Sequence, residues 1–332
     1  MQSRQAISFT AIVVPLLALI AAATLSPRTG FADESGGWLI DTGVNVDEIN
    51  QDLVPTEPTV DVAVYYPSNL DPKFRELVSV DGIIREFREA KRIFGEAGVQ
   101  LKLLWVKRSY VDPTHFSILA SDTTHELPSD GFVNLYVDSE RKPAQLTEEA
   151  ATAFDAIVEH DSRNAETIYL IALQGVYMGY WETTDNGRNW APRLVRTRAL
   201  SFPSYSYGGT VPHRLRGVIT LSGHDDDNYR MVAHELGHKL MNVSHEYKGQ
   251  APQHEVEADG GLMLYGNGID IPSGEAGRWH RERLHMSPYI YRYTKDGVRV
   301  QNPDYVGHGF YYDALYGDKV VEFEGIRLPG KD

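Results

Sequence analysis

Residues His234 to His245 read HELGHKLMNVSH. On a helix of about 3.6 residues per turn, His234 and His238 fall one turn apart on a single face, where two imidazoles can share a metal ion. Glu235, beside the first, is then placed as the base that draws a proton from a water activated by the metal. The same residues would also suit an ordinary amphipathic helix with two hydrogen-bonded histidines. Against that stands the apolar run MVAHELGHKLM, Met231 to Met241. It leaves Glu235 among hydrophobes, where an unpaired charge is costly unless a cation compensates it. A metal site is the stronger reading.

Upstream, the pattern is that of alternating strands and helices. Val60, Val62, Val64 and Tyr66 alternate as a strand that stops at Pro67. Val80, Ile83, Ile84, Phe87, Ala90, Ile93, Phe94 and Ala97 recur at helical spacing, with Gly98 as the stop, and Val99 to Val106 forms a second strand. That order is a βαβ unit, which implies parallel strands. Phe132 to Val137 reads as a strand, and Thr147 as the cap of a helix whose Ala150, Ala153, Phe154, Ile157 and Val158 face inward. The continuous apolar run Ile168 to Leu173 suits a central strand buried on both faces. Asn186-Gly187 signals a hairpin within an aromatic region, Val218 to Leu221 is a short strand, and Asp225-Asp226-Asp227 suits the start of the helix that follows.

The chain has 332 residues, 42% hydrophobic and 23% charged, an ordinary globular balance. Met1 to Arg4 is basic, Ala6 to Leu25 is almost wholly apolar, and Gly30-Phe31-Ala32 offers small residues for cleavage. Residues 1–32 are therefore expected to be a secretory signal, with a mature terminus near Asp33 and a secreted or periplasmic product. Without them, 30 basic residues face 46 acidic ones, a net charge of −16. Such a balance argues against nucleic acid or an anionic membrane as partner. With no cysteine in the chain, a metal must be held by His, Glu, Asp or Tyr. Residues 33–58 are rich in Asp, Glu, Gly and Pro and read as a linker or short pro-segment.

Downstream of His245, the turn GGLMLYG spans Gly260 to Gly266. A histidine helix, a further histidine and a methionine turn together resemble the metzincin clan of zinc metallopeptidases. In that clan the motif is HExxHxxGxxH, and a methionine in a tight turn underlies the zinc. The resemblance covers 32 residues, His234 to Tyr265. It implies His234, His238 and His245 as zinc ligands, Glu235 as the catalytic base, Met263 as the turn methionine and Tyr265 as an aid to the transition state. One departure is plain: Met241 holds the glycine position, and His245 falls one residue late. Asn242 tolerates the left-handed backbone with which a helix exit could absorb the extra residue.

A thermolysin-like pattern competes for the third ligand. Glu257 follows His238 with 18 residues between them. Glutamates in that pattern sit on a second helix, whereas HEVEADGG runs into glycines. His245 is thus preferred and Glu257 is the alternative. The expected fold is α/β (α+β): a twisted mixed sheet backed by helices, an active-site helix, and a small irregular C-terminal subdomain. Residues 59–332 would form the catalytic domain, 59–245 its upper part and 246–332 its lower part. The expected cofactor is Zn2+, the expected substrate is protein or peptide, and no membrane contact is expected in the mature form. A non-enzymatic secreted binding protein with a vestigial zinc site is the reading from another class. An intact Glu235 speaks against it, because a structural site needs no base.

Overall fold

The computed structural model describes residues 37–121, 147–160, 166–184, 189–201, 213–223, 230–241, 261–263, 270–302, 311–312 and 320–321. The chain opens with a short strand β1 (Leu39–Ile40) and one helical turn α1 (Val46–Ile49), then runs through β2 (Thr59–Pro67) and α2 (Pro72–Leu77). Next come α3 (Val80–Glu96) and β3 (Gln100–Ser109). β2 and β3 pair in parallel, as the βαβ order implies. Ser79 caps α3 by accepting from the Gly82 N–H, and Gly98 ends it at φ +85°, a conformation in which a Cβ would be strained. The apolar stripe of α3, from Ile83 through Phe87 and Ala90 to Phe94, is buried. Each large apolar side chain among these contributes roughly 1.5–3 kcal/mol.

β4 (Ser117–Ser121), α4 (Glu148–Ile157), β5 (Ile168–Ala172), β6 (Gly175–Thr184) and β7 (Asn189–Thr197) follow. Thr147 caps α4 through the Ala150 N–H at 3.1 Å. β5 lies between β2 and β9 (Val218–Leu221), parallel to both, and is buried along its whole length. A continuous apolar run therefore marks a strand covered on both faces. β6 and β7 pair antiparallel down to Thr184 and Asn189, and join β4 in a separate three-stranded sheet. The expected turn at Asn186-Gly187 falls between them, outside the described residues, as do Phe132 to Val137 and Asp225 to Asp227.

The main sheet has the order β1-β3-β2-β5-β9-β8, where β8 (Ala199–Leu200) runs antiparallel to β9. α5 (Met231–Met241) carries the histidines. It packs against α3 and against α6 (Arg278–His285). The fold is thus α/β, a mixed sheet with helices packed on it.

Two regions outside the βαβ unit are tied to the main sheet. The described portion of the 33–58 stretch is joined to the main sheet. β1 pairs with β3, the Asn50 side chain exchanges hydrogen bonds with the Leu103 backbone, and Trp38 meets the Tyr65 ring at 4.6 Å. β10 (Ile290–Tyr293) returns to the main sheet and pairs with β2, while β11 (Arg299–Gln301) extends it. The Tyr291 hydroxyl donates to Asp61 at 2.6 Å, and Arg299 lies both beside Asp61 and over the Tyr291 ring. The described residues from 37 onward cluster as one unit. The last described pieces are β12 (Tyr311–Tyr312) and β13 (Val320–Val321), a two-stranded pair. Among the described residues no helix is long and apolar enough to cross a membrane.

Candidate metal centre

α5 is a helix because its apolar residues, Val232, Ala233, Leu236 and Leu240, recur at a spacing that one buried side can absorb. The spacing then delivers what the motif requires. The His234 and His238 rings face one another with centroids 4.8 Å apart and planes perpendicular. His238 is buried and His234 half-buried. His234 Nδ1 lies 2.8 Å from the Leu262 carbonyl oxygen. A carbonyl can only accept, so Nδ1 carries the proton, and the neutral ring keeps its lone pair on Nε2. That is the tautomer in which a histidine binds metal while its other nitrogen is held by an outer partner.

Leu262 belongs to the segment Gly261-Leu262-Met263, and this segment lies directly against α5. A Cβ built on Gly237 would stand 2.3 Å from Met263 Sδ and 3.2 Å from Met241 Cε. Met263 is wholly buried. The glycine inside the HELGH motif is therefore the gap into which the methionine sulfur fits, and one neighbouring carbonyl of the same turn orients His234. Sequence reading singled out Met263 but not Gly237, whose small size has meaning only once the two segments are in contact.

Glu235 is buried, and its Oε2 has no hydrogen-bond partner among the described residues. Burial pushes its carboxyl up to about 8, while the Lys239 charge and the Ser201 N–H act in the opposite direction. Lys239 sits one turn further along the same helix and is itself buried, which drives its ammonium well below the usual lysine value against the pull of Glu235. The sequence signal for this neighbour was available: Glu235 and Lys239 stand at i and i+4, the spacing at which such side chains meet on a helix. Ser201 directly follows β8, so the last strand on this side of the main sheet ends at the carboxylate.

Two imidazoles on one helix face and an orphaned, buried carboxylate oxygen fit a divalent cation. A cation there would favour the ionised carboxylate that burial alone disfavours. Among the described residues, no group of three or more His, Cys, Asp or Glu gathers around one point. The proposed third ligand His245, its alternative Glu257, and Tyr265 lie outside the described residues.

No family model matches this chain, and no curated protein matches it. It is similar to a solved metalloproteinase. The crystal structure of metalloproteinase-II from Bacteroides fragilis aligns with 12% identity and a TM-score of 0.31, over 70% of this chain. The chain spans 59% of the length of that protein.

Proposed function

We propose that the protein is an exported zinc-dependent endopeptidase of metzincin-like type. The observation that carries the reading is Glu235, a buried carboxylate with an orphaned oxygen beside two histidines one helical turn apart, the first held in its metal-binding tautomer by Leu262. A structural metal site has no use for such an acid, whose burial costs stability. His234, His238 and His245 would hold the ion. Bound zinc would supply Lewis-acid polarisation of the scissile carbonyl and make the attacking water more acidic.

The chain's own residues do the rest. Glu235 takes the proton from the attacking water and hands it to the leaving amine. Tyr265 donates to the oxygen on which charge develops. The substrate backbone runs extended along β8, whose end approaches Glu235. The test is digestion of a denatured protein mixture by the purified mature protein. Cleavage is expected to stop with a strong chelator and to return when zinc is restored. Cleavage that persists in chelator, or none at all from zinc-loaded protein, would contradict the proposal.

A further inference from the structure

The helix that carries the histidines is held at both ends by charged side chains from its neighbours. Its first intrahelical bond runs from the His234 N–H to the Arg230 carbonyl at 2.8 Å, which makes Arg230 the capping residue. A guanidinium has no acceptor to offer the free N–H groups of a first turn. Glu86 supplies one from α3: its Oε2 accepts from the Val232 N–H at 3.2 Å. At the other end, Nε of Arg283 in α6 donates to the Met241 carbonyl at 3.1 Å. The signs are those a helix dipole asks for, an anion at the N-terminus and a cation at the C-terminus.

Glu86 is only 1% exposed and sits on the apolar stripe of α3, between Ile83 and Ala90. An alanine or leucine there would avoid the cost of burying an acid. The acid's contact with Val232 lies two residues before His234, and Arg283's contact with Met241 lies three residues after His238. A second tie supports the first. Arg92 of α3 and Arg230 both bind Asp270, at 2.8 and 3.0 Å, which joins α3, the start of α5 and the chain beyond Met263.

We propose that Glu86 and Arg283 are positioning residues of the zinc site, a clamp that sets where α5 lies along its axis so that His234 meets the Leu262 carbonyl with His238 one turn on. This rests on reading His234 and His238 as zinc ligands. A helix free to slip or unwind at either end spreads the two imidazoles over several geometries. Metal affinity then falls although no ligand has changed.

The experiment measures zinc and cobalt affinities of the mature protein by competition with a chromophoric chelator, together with the cobalt absorption spectrum and urea unfolding of the metal-free form. Glu86→Ala and Arg283→Met are each expected to weaken zinc binding about 10- to 100-fold and to alter the cobalt spectrum. Glu86→Gln, whose amide oxygen still accepts, and Arg283→Lys, which still donates, should recover most of the affinity. Should Glu86→Ala not fold, Glu86→Asp, one methylene too short to reach Val232, takes its place with the same expected loss. Variants that unfold at lower urea yet bind zinc within about threefold of wild type, with an unchanged cobalt spectrum, would reduce both residues to ordinary stabilisers and overturn the clamp. A wild-type protein that binds no zinc would instead overturn the reading of the site, and the clamp with it.

Discussion

Glu235→Gln is expected to keep one zinc per chain and to lose peptide hydrolysis by roughly 10²- to 10⁴-fold, the range that a positioned general base contributes. On the proposed reading the residue is a base and not a ligand, so the two effects separate. Glutamine has nearly the same shape, and its amide oxygen can still accept from the Ser201 N–H. It also removes a carboxyl that burial already disfavours as an anion, so the metal-free fold should tolerate the change. What the amide cannot do is take a proton from water and return it to the departing amine. Single-turnover hydrolysis of a quenched peptide, with zinc content measured on the same sample, checks both parts. Undiminished turnover would remove Glu235 from the chemistry.

Gly237→Ala should act on the opposite side of the same helix. Replacing a mid-helix glycine by alanine ordinarily stabilises by about 0.5–1 kcal/mol. Here the new Cβ would stand 2.3 Å from the sulfur of a wholly buried Met263, an overlap that something must relieve. Overpacking of that kind costs about 1–3 kcal/mol, so the strain outweighs the helix gain and the metal-free protein should lose roughly 1–2 kcal/mol. The relief also has a direction. Met263 is joined to Leu262, whose carbonyl holds the His234 ring, and a displaced turn withdraws that partner. Zinc affinity is therefore expected to fall by about 10- to 100-fold, the usual cost of disturbing an outer partner of a ligand. Urea unfolding and chelator competition read the two effects separately. A variant as stable as wild type with the same zinc affinity would show that Met263 yields freely and merely fills space.

The sequence was most legible where a periodic pattern and a buried face coincide. β2, α3, β3 and α5 carry such a pattern, β5 and the short β9 showed as apolar runs, and the βαβ order correctly implied parallel pairing. β1, β8 and the return of β10 to β2 were not legible. Strands of two to four residues are too short to show a period, and their place depends on pairing with residues far along the chain. The 33–58 stretch reads as a linker or short pro-segment because its Asp, Glu, Gly and Pro content says little about docking. What ties it down is specific, such as the Asn50 amide on the Leu103 backbone.

At the site, His234, Glu235 and His238 were read from spacing alone, while their supports were not. Arg283 and the Leu262 carbonyl reach α5 only through tertiary contact. Glu86 did leave a trace: it lies three residues after Ile83 and four before Ala90, on the stripe that the hydrophobic pattern assigns to the core. A charged residue in that register is a signal that it has a buried partner.

Zinc bound per chain, measured on purified mature protein and on His238→Ala, His245→Ala and Glu257→Ala, addresses the central claim most directly. Removing one of three protein ligands leaves a weak site, so the account predicts about one zinc in wild type, little in the two histidine variants, and about one in Glu257→Ala. A zinc-free wild type, or a His238→Ala variant that keeps its zinc, would contradict it. Zinc lost from Glu257→Ala and kept by His245→Ala would transfer the third ligand to the thermolysin-like pattern.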